Sequence, residues 1–144
     1  MKRLVLGLIA SVAFACQPDA EKKKMPENET IARKVYERFN AHDWEGMAAL
    51  YSDSTEFKDP AFGTKAVMQS RKQIVEKYAA MHQETPDIHD EITGIYPSGD
   101  TRVIVEFVSS GSMPDGNKWE LPICTVFTIE KGKITKDYTY YDQE

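Results

Sequence analysis

The sequence predicts an α+β fold, with helices in the first half of the domain and a hairpin-linked sheet in the second. Three observations carry that expectation. Between positions 31 and 82 apolar residues recur at helical spacing, interrupted by one short strand. After Pro86 the pattern changes to β-branched and aromatic runs separated by Gly, Pro, Asn and Asp. The 144 residues are 41% hydrophobic and 28% charged, a composition that suits one globular domain and excludes disordered or collagen-like classes.

The chain opens on a basic Met1-Lys2-Arg3 and an apolar stretch over 4–15, ending Ala13-Phe14-Ala15-Cys16. That stretch is too short for a membrane-spanning helix, which needs about 20 residues. A basic start, a short apolar run and small residues at its end form a secretory signal. The junction at Cys16 resembles a bacterial lipobox, although Ala13 stands where Leu is usual and Phe14 where a small residue is usual. The resemblance implies a signal peptide over 1–15 and a Cys16 that carries lipid and anchors the chain in the cell envelope. The alternative is an ordinary cleavage near Ala15 that leaves Cys16 a bystander. With Cys16 lipidated, Cys124 has no partner for a disulfide and the fold must rest on its core. Residues 16–28, with two prolines and the Lys22-Lys23-Lys24 triplet, read as a flexible tether, and 29–144 as the folded domain.

Ile31, Val35 and Phe39 mark the first helix, which Asn28 or Thr30 can cap. Asn40-Ala41-His42-Asp43 breaks it, and Asp43 can cap a second, short helix whose apolar face is Trp44, Met47, Ala48 and Tyr51. A short strand over 55–59 ends at Asp59-Pro60. Val67, Ile74, Tyr78 and Met81 predict one face of a long helix over 64–82, with Lys and Glu opposite. Strands follow over 88–96, 102–110, 119–129 and 134–141, joined by turns at Ser98-Gly99-Asp100, Asp115-Gly116-Asn117 and Lys131-Gly132. Helices first and a meander sheet after is an α+β order.

Lys+Arg is 18 against 23 for Asp+Glu, a formal charge of −5. Such a surface repels phosphate backbones, so nucleic acid is excluded as a partner, and the membrane is met only through the N-terminal lipid. The histidines, His42, His82 and His89, have no metal-ligand spacing, and no P-loop, dinucleotide fingerprint or serine-nucleophile motif is present. Neither a metal nor another cofactor is expected.

Asn40-Ala41-His42-Asp43-Trp44 through Leu50-Tyr51, followed by Phe57-Lys58-Asp59-Pro60, resembles the opening of a SnoaL-like domain of the nuclear transport factor 2-like superfamily. Val126-Phe127-Thr128-Ile129-Glu130-Lys131-Gly132-Lys133-Ile134 resembles that family's last hairpin. The resemblance implies a cone: a curved mixed or antiparallel sheet wrapped around three N-terminal helices and a hydrophobic cavity. It also implies a homodimer through the outer sheet face, here Glu106, Tyr138 and Tyr140. By the same match Asp59 falls on the general base of ketosteroid isomerase, an enzyme that pairs its Asp base with an oxyanion hole of a Tyr and a protonated Asp. The match puts Val35 and Cys124 at those two hole positions, and neither side chain can serve there. Tyr36, one residue on, is turned about 100° away. Steroid isomerisation is therefore not expected. Asp59 has two readings, a base or ligand contact and a turn residue whose carboxylate bonds the backbone after the strand.

Strand parity and the family match bring Tyr51, Phe57, Tyr78, Phe107, Cys124, Asp137 and Tyr141 forward as ligand-binding candidates, with Thr139 inward and Tyr138 and Tyr140 outward. For each aromatic the alternative is core filling. Three functions follow: an anchored lipoprotein binding a small apolar molecule; an isomerase, cyclase or dehydratase using Asp59; and an interaction module with a filled cavity. A cavity of about 300 Å³ or more separates the third from the others. Asp59 facing it, with Tyr51, Tyr78 or Tyr141 in reach, favours the enzyme.

Overall fold

The computed structural model describes residues 27–142. The expected signal segment, Cys16 and most of the expected tether lie outside the described residues. The order is α1 (Glu27–Asn40), α2 (Trp44–Ala48), β1 (Tyr51–Lys58), a single 3-10 turn (Pro60–Phe62), β2 (Val67–Ser70), α3 (Arg71–Glu84), β3 (His89–Ser98), β4 (Arg102–Ser112), β5 (Lys118–Glu130) and β6 (Lys133–Tyr140).

Helix α1 buries Ile31, Ala32, Val35, Tyr36 and Phe39, the one-sided stripe the spacing requires. It is already helical at Glu27, so neither Asn28 nor Thr30 caps its start; Asn28 Nδ2 instead donates to the Asp100 carbonyl. Asp43 does cap α2, accepting from the Gly46 N–H at 2.9 Å. A Cβ at Gly46 would meet that carboxylate at 2.1 Å, so the cap and the glycine belong together.

The expected single helix over 64–82 is two elements. Val67–Ser70 is a strand on the edge of the sheet beside β1, and the helix starts only at Arg71. Ser70 makes the break: its hydroxyl caps the Gln73 N–H while the Gln73 side chain accepts from the Ser70 N–H, a capping box that fixes where α3 begins. Val67 therefore pairs across from Phe57 and takes no part in the helix face.

The six strands form one open, mixed sheet in the order β2-β1-β6-β5-β4-β3. β3 to β6 are an antiparallel meander, and β1 joins β6 in parallel. One face of β4 buries Val103, Val105, Phe107 and Ser109, against Phe127, Thr125, Ile123 and Leu121 of β5. The helices cover this face, α1 lying on β3 and β4 and α3 on β1 and β2. The other face carries Glu106, Cys124 and Tyr140. A shift between Thr128 and Ile129 leaves Thr135 as an extra residue in β6, so Ile134 and Asp137, three apart, are both buried.

Candidate functional site

Between helices and sheet lies a cavity of about 300 Å³. Its walls are mainly apolar and aromatic, with Tyr36 and Phe39 from α1, Tyr78 from α3, and Phe107, Trp119 and Phe127 from the sheet. Tyr36 packs edge-on to Phe107 with centroids 4.8 Å apart, and Phe39 edge-on to Tyr78 at 5.7 Å. Gly111 makes room for one end: a Cβ there would lie 2.3 Å from Thr85 Cγ2 and 3.0 Å from the Trp119 ring.

Asp59 lines this cavity and is also the cap of the Pro60–Phe62 turn, so both of its readings meet in one side chain. Oδ1 accepts from the Ala61 N–H and from the Tyr141 hydroxyl, each at 2.9 Å. Oδ2 accepts from Lys77 Nζ at 2.5 Å in an ion pair whose side chains are 17% and 10% exposed. Burial pushes the Asp59 carboxyl up, but the Lys77 charge and the three donors more than offset it and hold its pKa below the ordinary value.

A second polar run crosses the cavity floor. Tyr51 donates to Asp137 Oδ2 at 2.8 Å and Thr139 to Oδ1 at 3.1 Å. The hydroxyls of Thr139 and Thr125 lie 2.8 Å apart. Burial raises the Asp137 pKa, opposed by the Tyr51 bond and the Lys77 charge. Burial, then the Asp137 charge, pushes the phenols of Tyr36, Tyr51 and Tyr78 well above the usual tyrosine range, so all three stay protonated donors.

A third polar group stands apart. Asp90 on β3 lines the cavity and is 7% exposed. Burial lifts its pKa to about 6, opposed by the nearby Ser109 hydroxyl, and its Oδ1 has no partner.

Of the sequence candidates, Tyr51, Asp59, Tyr78, Phe107, Asp137 and Tyr141 come together around this cavity. Phe57 does not line it: it is buried behind Tyr51, ring centroids 5.6 Å apart. Cys124 lies on the opposite face of the sheet. It registers with Glu106 and Tyr140, because the inward set of β5 is Thr125, Phe127 and Ile129. Burial, with the Glu106 charge, also raises its thiol pKa, which disfavours a nucleophilic thiolate. Tyr36, expected to point elsewhere, lines the cavity together with Val35. His42 and His82, expected to be scattered, lie against each other with centroids 3.9 Å apart beside Trp44. Lys77 and Asp90 are the residues the sequence reading missed.

A family model described as a SnoaL-like domain matches residues 32–136. No curated protein matches the chain in sequence. Among solved structures it is similar to a Catenulispora acidiphila protein with a ketosteroid isomerase-like fold, in complex with trimethylamine. That match has 22% identity over 78% of this chain and 85% of the other, with a TM-score of 0.69. It is also similar to the epoxide hydrolase/cyclase-like enzyme SalBIII of pyran ring formation in salinomycin, at 16% identity, 81% and 92% coverage and a TM-score of 0.71. A candidate polyketide cyclase from Xanthomonas campestris matches at 23% identity, 81% and 90% coverage and 0.67.

Proposed function

The chain belongs to the SnoaL-like domain family, and on that premise we propose that it is an envelope-anchored lipoprotein whose cavity binds one small, largely apolar molecule. In this reading lipid on Cys16 is the anchor, the segment that follows is the tether, and sheet and helices form a cone around the ligand. The observation that carries it is the cavity itself: about 300 Å³, aromatic on most sides, with polar groups gathered at a few points. That is the usual character of a small-molecule site. A cavity of this size also disfavours the filled interaction module.

A second reading, an acid–base enzyme of the isomerase, cyclase or dehydratase type, is favoured by Asp59 facing the cavity with Tyr141 on its Oδ1. Against it stands the Lys77 ion pair. A general base needs a free lone pair aimed at the proton it removes, and a pKa not far below working pH. Asp59 has three of its four lone-pair sites taken, the last on the oxygen that faces Lys77, and a lowered pKa. Binding is therefore the better supported function.

Titration of the full chain in mild detergent with the neutral fluorophore N-phenyl-1-naphthylamine tests it. Saturable one-to-one binding is expected, lost in Leu121→Trp, which fills the cavity from its half-buried wall. Binding that ignores this substitution rejects the cavity as the site.

A further inference from the structure

We propose that the Asp90 end of the cavity is a subsite for a protonated amine, so that the apolar molecule bound there carries a cationic nitrogen. This rests on the cavity being a ligand site and names the chemistry of its ligand.

Asp90 alternates with Ile88, just before β3, and with Ile92 on it, so its side chain lies on the inward face of the sheet. Its backbone is clamped to the end of α1: the Asp90 N–H donates to Asn40 Oδ1 and Asn40 Nδ2 donates to the Asp90 carbonyl, both at 2.8 Å. The carboxylate is thus placed by α1 and β3 without being consumed by either. Ser109 is its register partner on β4, and Oδ1 is left buried without a hydrogen-bond partner. An unpaired acceptor in such a place is costly, and the cost is greater when the group is charged.

The cavity's other carboxylates are already matched. Asp59 holds Lys77, the one cation among the described lining residues, and Asp137 accepts from Tyr51 and Thr139. Lys77 does not compensate Asp90: burial and Ser109 are what act on the Asp90 carboxyl, and the Lys77 charge is not among its influences. The Asp90 end therefore has an open acceptor, uncompensated negative charge and the rings of Phe107 on β4 and Trp119 on β5. An ammonium supplies the donor and the opposite charge together and is attracted to aromatic faces. A hydroxyl supplies the donor only, and a carboxylate is repelled.

Calorimetric titration of the full chain in detergent at pH 7.5 with 2-phenylethylamine, 2-phenylethanol and phenylacetate tests this. The amine is expected to bind at least about tenfold tighter than the alcohol, and phenylacetate weakest. Asp90→Asn should bring the amine down to the alcohol and leave the alcohol within about twofold. Equal affinity of amine and alcohol for the wild type overturns the proposal, whether or not the variant folds, and so does an amine preference that survives Asp90→Asn. If N-phenyl-1-naphthylamine binds in the cavity and none of the three does, the amine subsite is wrong and the cavity reading stands. If the fluorophore fails as well, the cavity reading itself is wrong.

Discussion

Asp90→Asn should make the protein more stable at neutral pH and leave its stability at pH 4 unchanged. Burial raises the Asp90 carboxyl from 3.8 to about 6, so between those values the folded state holds a proton that the unfolded state has released. The sign follows: the native form is favoured as pH falls through this window and penalised as pH rises through about 6. A displacement of about two pH units at 1.36 kcal/mol each is a penalty of about 3 kcal/mol, complete by pH 7.5. The amide cannot ionise and carries no such penalty. Like the protonated acid it is uncharged, so the cost of burying a charge is absent from both variant and wild type at low pH. At about 4 °C per kcal/mol for a domain of this size, the variant should melt roughly 12 °C above wild type at pH 7.5 and level with it at pH 4. Paired melts at the two pH values, followed by circular dichroism without ligand, measure the difference. An equal offset at both pH values would show that Asp90 is not buried as a charge, and the reasoning would fail.

Lys77→Met should cost about 3 kcal/mol at pH 7, because it leaves the Asp59 charge buried without its partner. The loss should shrink as pH falls from neutrality to below the lowered wild-type Asp59 pKa, because the variant's unpaired, buried carboxyl takes up its proton first and the wild-type pair is broken last; a loss equally large well below that point would contradict the pairing. Tyr51→Phe removes one of two donors to buried Asp137 and should cost about 2 kcal/mol in urea unfolding, while a change under half that would show the bond to be dispensable. Cys16→Ser should convert a detergent-extracted, acylated chain into a soluble one without acyl mass; a wild type that is equally soluble and unacylated rejects the anchor. Light scattering of the detergent-free Cys16→Ser chain should give twice the monomer mass if the face with Glu106 and Tyr140 pairs two copies, and a monomer at tens of micromolar rejects the dimer.

The alternation of Val103, Val105 and Phe107 was enough to give the inward face of β4, and Asp43 announced the cap of α2. Local signals failed where two periods run together. Val67 lies seven residues before Ile74, a spacing two helical turns would also produce, and only the Ser70–Gln73 capping box reveals the break. Cys124 follows from the family match, although Phe127 and Ile129 on the same strand fix the opposite parity. Tyr36 was excluded by 100° of rotation, but a helix covered on one side by a sheet buries a stripe wide enough for Val35 and Tyr36 together. Lys77 and Asp90 had visible signals. Lys77 is three residues past Ile74 and adjoins Tyr78, so its stem starts on the buried face. Asp90 alternates with Ile88 and Ile92, an acid at an inward position. What the sequence could not contain is the encounter itself: Lys77 meets Asp59 across 18 residues and Tyr141 meets it across 82, through a sheet order no local pattern encodes.

The central claim is that a small molecule sits between helices and sheet. Methyl-resolved NMR of the folded chain during titration with N-phenyl-1-naphthylamine tests it most directly, because ring currents shift the methyls they lie against. Val35, Ile88, Leu121 and Ile123 line the cavity, whereas Ile104 and Val126 alternate out of its lining. The account predicts saturable shifts at the first four and none at the other two. Shifts confined to Ile104 and Val126, or no shifts at saturating probe, would contradict it.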